Sequence, residues 1–441
     1  MAALRFDESN APKYLAIAHA LASAIERGEL APGDRLPPQR RVAEALGVDL
    51  TTVTRAYAQA RLMGVLDGEV GRGTFVRGAP TAAGPLIDLS MNLPPSPPGE
   101  NWRDLIGRGL LSTLRDNDAA TLMTYRSGLG ARRDKLAAAA WLSPLLGSVD
   151  EARIFLAPGA QGAISALLPM LAHAGDCILV EPFTYAGFLA VARMHGIKLA
   201  ALHCDAEGPA IRALEAQIKA LQPKALYLNP TLQNPTARTI SAARRDAIAA
   251  VARKHDLLIL EDDPYGLLVS LQTPLAARAP DHTLYIGTLS KAIIPGLRTA
   301  FVVAPPKQTA RVAEALRAGY QMPSPLLSDL AIRWIESGTA KRLLKGVIAE
   351  SAVRMKIARA ILPRAEGGPL GFHLWMRLPT HWTPDAYSTA ARKQGVVTVA
   401  SAEFAIEAQR EAYVRISLGA PPDRDSLARG LRALAALETD A

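Results

Sequence analysis

Four short apolar runs limit this chain more than any other feature: CILV (177–180), KALYL (224–228), LLILE (257–261) and TLYIG (283–287). Each gives way to a turn or to a stretch with helical spacing. Strands that read as unbroken apolar runs are buried on both faces, and strands that alternate with helices build a parallel sheet. The expectation is a large α/β body over residues 101–441. At roughly 150 residues per domain the chain has room for about three folding units. With 49% apolar and 21% charged residues, wholesale disorder and a collagen-like fibre are excluded.

Only two cysteines occur, Cys177 and Cys204, so no disulfide framework is expected and a reducing compartment, the cytoplasm, is. No Cys/His spacing suits a metal. The opening MAALRFDESNAPKYL carries Asp7 and Glu8 and lacks a long apolar core, so it is not expected to be a signal peptide. No run of 18 apolar residues is free of charges and breakers, so no membrane span is expected. The net charge of +9 and the pI near 9.6 permit a polyanionic partner. Residues 1–78, however, hold ten Lys+Arg against nine Asp+Glu. Bulk charge therefore does not locate a nucleic-acid site; local placement must.

Residues 79–100 contain six prolines and little charge. Pro94, Pro95, Pro97 and Pro98 forbid a helix and favour extended geometry. This stretch reads as a linker between a front segment, 1–78, and the body, or, in its second half, as an arm wrapped on the body by Leu86, Ile87, Leu89 and Met91.

In the front segment Leu15, Ile17, Leu21 and Ile25 recur at helical spacing between Pro12 and Gly28. A second helix fits QRRVAEALG, opened by Pro38 and stopped by Gly47. Asp49 can N-cap a third, LTTVTRAYAQARLMG, with Val53, Tyr57 and Leu62 inward. VLDGEVGRGTFV then reads as a glycine-turned hairpin. Helix, helix–turn–helix and β wing form a DNA-binding geometry in which the third helix enters the major groove. Thr51, Thr52 and Arg55 stand at its start, and Arg can read guanine. Arg35, Arg40 and Arg41 flank the backbone, and Arg72 lies at the wing tip. On this pattern alone a small three-helix domain with solvated arginines fits equally well. The stretch GDRLPPQRRVAEALGVDLTTVTRAYAQARLMGVLDGEVGRGTFV resembles the winged helix-turn-helix of the GntR family, whose pattern is LPxxRxLA, a recognition helix and a wing ending GTxV. The resemblance implies double-stranded operator DNA as partner, with Arg40 and Thr52 on the family's contact positions, Thr51 and Arg55 beside them, and Gly73 on the wing turn. Asp49-Leu50 stands where family members often carry a polar or basic pair.

Four motifs lie along the body. In LSKAIIPGLR (289–298), Lys291 offers a primary amine, Ser290 a hydroxyl and Arg298 a guanidinium suited to phosphate. LILEDDPYG (258–266) is an apolar strand ending in acids, where ligands of open α/β sheets sit; Asp262 can pair with a protonated pyridine nitrogen and Tyr265 with a phenolic oxygen. In YLNPTLQNPTA (227–237), Asn234 can reach the same oxygen. In FLAPGAQGAISALL (155–168), Gly159 opens a helix whose Ala160 and Gln161 amides can cradle phosphate. Tyr185 can stack on a ring, and Arg415 can clamp a carboxylate. Taken singly, each motif also reads as a surface lysine, a helix cap, an Asn-Pro turn or an ordinary strand–helix turn.

Taken together, residues 101–441 resemble the fold type I, class I/II aminotransferases, which implies pyridoxal 5'-phosphate (PLP) as cofactor. It implies a mainly parallel sheet and a smaller C-terminal α+β subdomain from about residue 325. By position, Lys291 matches the Schiff-base lysine, Asp262 the pyridine partner, Tyr265 and Asn234 the holders of the ring oxygen, and Tyr185 the stacking aromatic. Arg298, Ser290, Thr288, Ala160 and Gln161 match the phosphate site, and Arg415 the carboxylate clamp. Tyr125 matches a tyrosine that reaches a neighbouring subunit's phosphate, which implies a homodimer. Ala237 replaces the usual Gly after NPT, and Lys135 a usual Arg. A GntR-type reader, a linker and this body together resemble the MocR subfamily of bacterial transcription regulators. The implied function is a cytoplasmic regulator, on the nucleoid when DNA-bound, that senses an amino acid, an amine or PLP itself through Schiff-base exchange at Lys291. A working aminotransferase with a DNA-binding appendage is the alternative, since Lys291, Asp262 and Arg415 are all present; a cofactor-bearing dimerisation scaffold is a third reading.

Overall fold

The computed structural model describes residues 12–27, 29–30, 34, 36–63, 65–69, 73–76, 86–125, 129–269, 272–407 and 411–439. It divides into two compact units, Met1–Pro85 and Leu86–Ala441. Among the described residues no helix is long and apolar enough to cross a membrane.

The first unit runs α1 (Lys13–Glu26), α2 (Gln39–Leu46), α3 (Leu50–Leu62), then an antiparallel pair, β1 (Leu66–Glu69) and β2 (Gly73–Val76), with Glu69 opposite Gly73. Pro38 precedes α2, and Gly47 closes it in the left-handed conformation, φ +62°, where a Cβ is unfavourable. Asp49 occupies the N-cap position of α3, but its side chain makes no capping bond. A 13-residue helix is marginal alone; α3 is held by burying one face. Val53, Ala56 and Tyr57 are buried with Ile17, Leu21, Val42, Leu66 and Val76, each aliphatic side chain contributing about 1.5–3 kcal/mol. The Leu62 side chain lies outside the described residues.

The second unit is built on a seven-stranded sheet. Its order is Ile154–Ala157, Ala300–Val303, Thr283–Thr288, Leu258–Asp262, Ala225–Leu228, Cys177–Val180, Lys198–Ala201. Only Ala300–Val303 runs antiparallel to its neighbours. The central strands are mostly apolar because helices cover both faces. Tyr227, Leu260 and Ile286 pack with Ala163, Ile164 and Leu167 of the helix Ala160–Leu171. Leu226, Leu228 and Ile259 pack with Ile248, Ala249 and Ala252 of the helix Ala242–His255 on the other face. The smaller region is a three-stranded antiparallel sheet, Val399–Ala400, Tyr413–Ser417 and His373–Arg377, beneath the helices Thr339–Ile361, Pro384–Lys393 and Arg424–Thr439. The helix Pro325–Glu336 instead joins the core of Trp141 and Phe301.

Residues 86–100 belong to this second unit, and residues 79–85 lie outside the described ones. Ile87–Asp88 pairs in parallel with Val396–Val397. Leu89 is fully buried, and its carbonyl accepts from the Ser417 amide at 2.7 Å. A Cβ on Gly419 would overlap the Leu93 carbonyl oxygen. Leu86 and Met91 stay exposed. The second half of the proline-rich segment is thus an ordered arm.

Candidate functional site

The carboxyl ends of the parallel strands deliver the chemistry to one place. Asp262 and Thr288 end their strands, Lys291 follows Thr283–Thr288, and Asn234 follows Ala225–Leu228. The turn into Ala160–Leu171 follows Ile154–Ala157, and Tyr185 follows Cys177–Val180. In a parallel sheet every such end points to the same edge, so residues far apart in sequence meet there.

Asp262 is buried; its Oδ2 accepts from the Tyr227 hydroxyl at 2.9 Å, and its Oδ1 has no partner. Burial raises its pKa to about 7, against the lowering effect of the Tyr227 bond. Burial brings the Lys291 amine down to about 8, and the Arg415 cation pushes it the same way. Lys291 Nζ donates to the Asn92 carbonyl. Asn92 Nδ2 donates to the Tyr265 hydroxyl at 2.9 Å, and burial raises the pKa of Tyr265. Arg415 donates to Asn234 Oδ1 at 2.8 Å and to the Ser90 carbonyl, while its buried Nε is unpaired. Its guanidinium lies 4.9 Å from the Phe404 ring centroid. Tyr185, whose hydroxyl pKa burial raises, feels the charges of Asp262, Arg298 and Arg415.

The anion cradle is also present. Gly159 has φ +83°, and a Cβ there would come within 2.9 Å of the Arg298 guanidinium. Arg298 donates to the Pro158 carbonyl at 3.1 Å. Gln161 donates from Nε2 to the Gly187 carbonyl at 3.0 Å. Thr288 Oγ1 caps the next helix by accepting from the Ser290 amide at 3.1 Å and lies 3.1 Å from the Ser290 hydroxyl. These residues fit PLP: an amine of lowered pKa, a buried carboxylate oxygen without a partner and a side-chain-free turn beside a guanidinium answer its aldehyde, ring nitrogen and phosphate.

The structure therefore brings together Lys291, Asp262, Tyr265, Asn234, Tyr185, Arg298, Ser290, Thr288, Ala160, Gln161 and Arg415. Tyr125 stands on the surface, 79% exposed. Ser90, Asn92, Tyr227 and Asn229 escape the sequence reading. Asn229 accepts from the Asn234 amide at 2.8 Å and donates to the Asp262 carbonyl, so it ties two strand ends. The period-two pattern of Ile87 and Leu89 was the one signal that the arm is strand-like. Ala237 is buried with φ +58°, and Lys135 sits over the Phe155 ring at 4.9 Å.

In the first unit, Arg40 and Thr52 line one cleft of about 560 Å³ with Lys13, Glu44, Asp49 and Leu50. Thr51 is exposed on α3, and Gly73 opens β2. The Arg55 guanidinium lies 4.4 Å from the Tyr14 ring centroid. Arg35 and Arg72 lie outside the described residues.

The family model for aminotransferase class I and II matches residues 85–434, and that for bacterial regulatory proteins of the gntR family matches residues 13–76. The HTH-type transcriptional regulator YdeF of Bacillus subtilis is 30% identical over 98% of this chain and 96% of its own length. The vitamin B6 salvage pathway transcriptional repressor PtsJ of Salmonella typhimurium is 28% identical over 91% of this chain and 93% of its own. Among solved structures, the α-aminoadipate aminotransferase LysN of Thermus thermophilus, in complex with N-(5'-phosphopyridoxyl)-L-leucine, superposes with a TM-score of 0.73. That match has 24% identity and covers 80% of this chain and 92% of LysN.

Proposed function

Because the chain belongs to the class I and II aminotransferase family and carries a gntR-family regulatory domain ahead of it, we propose that it is a MocR-type transcription regulator. It binds operator DNA through the first unit, holds PLP in the second and takes an amino acid or amine as effector. The observation that carries this reading over that of an enzyme with an appendage is the arm. The segment through which the chain leaves the DNA-reading unit hydrogen-bonds Lys291 and Tyr265 through Asn92 and Arg415 through Ser90. A ligand that changes those partners changes the arm.

When bound, PLP supplies an aldehyde for primary amines and an electron-withdrawing pyridine ring. Lys291, with its lowered pKa, keeps a larger neutral fraction near pH 7 than an ordinary lysine does. The unpaired Oδ1 of Asp262 accepts a cationic N–H, which favours the ionised carboxylate. Tyr265 and Asn234 orient an oxygen on the ring edge. Arg415 selects a carboxylate, and burial strengthens that choice. A ligand shifts the regulator only by its preference for one conformation.

The exposed apolar side chains of Leu111, Leu114, Met123 and Tyr125 support a homodimer, and a two-fold dimer would bring two readers to one operator. Such a regulator works in the bacterial cytoplasm, on the nucleoid when DNA-bound. The test is paired: DNA affinity of the PLP-loaded protein with and without a panel of amino acids and amines, and turnover with the same donors plus keto acids. Effector-dependent affinity with no sustained turnover supports the regulator. Sustained multiple turnover with DNA binding blind to every amine replaces it with the enzyme.

A further inference from the structure

Resting on the DNA-binding reading above, we infer that bases are read by Leu50, Thr54 and Gln39, and that their target is a thymine-bearing step rather than a guanine read by Arg55.

On α3 the buried residues Val53, Ala56, Tyr57 and Ala60 define the inner face. Thr51, Thr54, Arg55 and Ala58 are exposed away from it, as the spacing of a helix requires, and Leu50, in register with Val53 and Tyr57, is exposed on the flank at the head of the helix. Arg55, the one cation near the start of α3, is drawn towards α1. Its guanidinium rests on the ring of Tyr14, a residue packed against the unit's core. A cation held over a ring gives up that contact when it reaches for a base.

Beside the exposed Thr51 hydroxyl, the Thr54–Gln39 pair and Leu50 stand at the head of the helix to meet base edges. The Thr54 hydroxyl lies 2.8 Å from Gln39 Oε1 and 2.9 Å from the Leu50 carbonyl. Gln39 is the first residue of α2, so this bond links the two helices of the helix–turn–helix at the groove-facing end of α3. With its carbonyl oxygen taken by Thr54, the Gln39 amide nitrogen is the group left for an acceptor such as thymine O4 or a purine N7. Leu50, 40% exposed at the head of α3, presents methyl groups, and the major-groove feature that matches a methyl group is the thymine C5-methyl. Lys13 and Arg40 line the same cleft as Leu50, where cations suit the flanking phosphates; phosphate contacts position a protein and carry no sequence information.

The test uses the full-length, PLP-loaded protein and selection from a randomised duplex library, followed by affinity measurements on the selected sequence. Arg55→Ala is expected to return the same consensus, with specific-to-nonspecific affinity within about threefold of wild type. Thr54→Ala and Gln39→Ala are expected to lose preference at one base pair per half-site, a discrimination of roughly 5- to 100-fold. Replacing the selected thymine by uracil should weaken wild-type binding and leave Leu50→Ala unaffected. Loss of a G·C preference in Arg55→Ala, or a uracil duplex bound as tightly as the thymine one, overturns the inference while leaving DNA binding intact. A wild-type protein that enriches no sequence overturns both.

Discussion

Replacing Arg415 by Met should move the pH at which the protein captures PLP. Lys291 is brought from 10.5 to about 8, first by burial and second by the Arg415 cation. Only the neutral amine attacks an aldehyde. At a pKa of about 8 roughly 9% of the amine is neutral at pH 7, against about 0.03% for an ordinary lysine. Capture by the wild type should rise about tenfold from pH 7 to 9 and then flatten, whereas an ordinary lysine would gain about 100-fold over the same interval and still be climbing. Removing a nearby cation favours the charged form of lysine, so Arg415→Met should shift the inflection upward, short of 10.5 because burial remains. The assay is stopped-flow absorbance on cofactor-free protein from pH 6.5 to 10, with butylamine as the reference for PLP's own titration and borohydride trapping to locate the label. A wild-type inflection absent below pH 9, or one that Arg415→Met leaves in place or lowers, would refute the reasoning. The same shift means that unfolding takes up a proton between about pH 8 and 10.5, so stability from this group rises with pH across that window.

Three further outcomes are expected. Gly159→Ala puts a Cβ against the Arg298 guanidinium at a residue with φ +83°; it should cost about 1–2 kcal/mol and weaken PLP binding, measured by denaturation and by cofactor titration. Ala237→Gly relieves a left-handed alanine and should be neutral to stabilising by up to about 1 kcal/mol, because the strain removed is partly offset by the entropy of a freer unfolded chain; a drop in Tm would contradict this. Gly419→Ala drives a methyl group into the Leu93 carbonyl and should loosen the arm, seen as faster proteolysis within residues 86–100 and, if the arm couples the units, as altered DNA affinity.

Most of the body was legible as sequence because its signals are local. An apolar run bounded by turns is a buried strand whatever surrounds it, and CILV, ALYL and TLYIG appear as strands of the central sheet. Pro38 and Gly47 bracket α2 for reasons that act within a few residues. The positions of Asp262, Thr288 and Ala160 were legible because each closes a strand or opens a helix. Asp49 shows the limit: it stands at the cap position, yet its side chain makes no capping bond, a choice of rotamer that the sequence does not encode by itself.

The partners were not legible, because pairing across long separations depends on how layers pack. Nothing in LSMNLPP announces that Asn92 meets Lys291 and Tyr265, at separations of 199 and 173 residues. Arg55 at the head of a recognition helix looks like a base reader until α1 brings Tyr14 beneath it. The residue order thus determined which elements form and which reactive groups sit at their ends, since propensity and periodicity act over a few residues. Packing decided whom those groups touch and how far burial shifts their proton affinities, since desolvation and hydrogen bonding depend on everything that surrounds a group once the chain has closed around it.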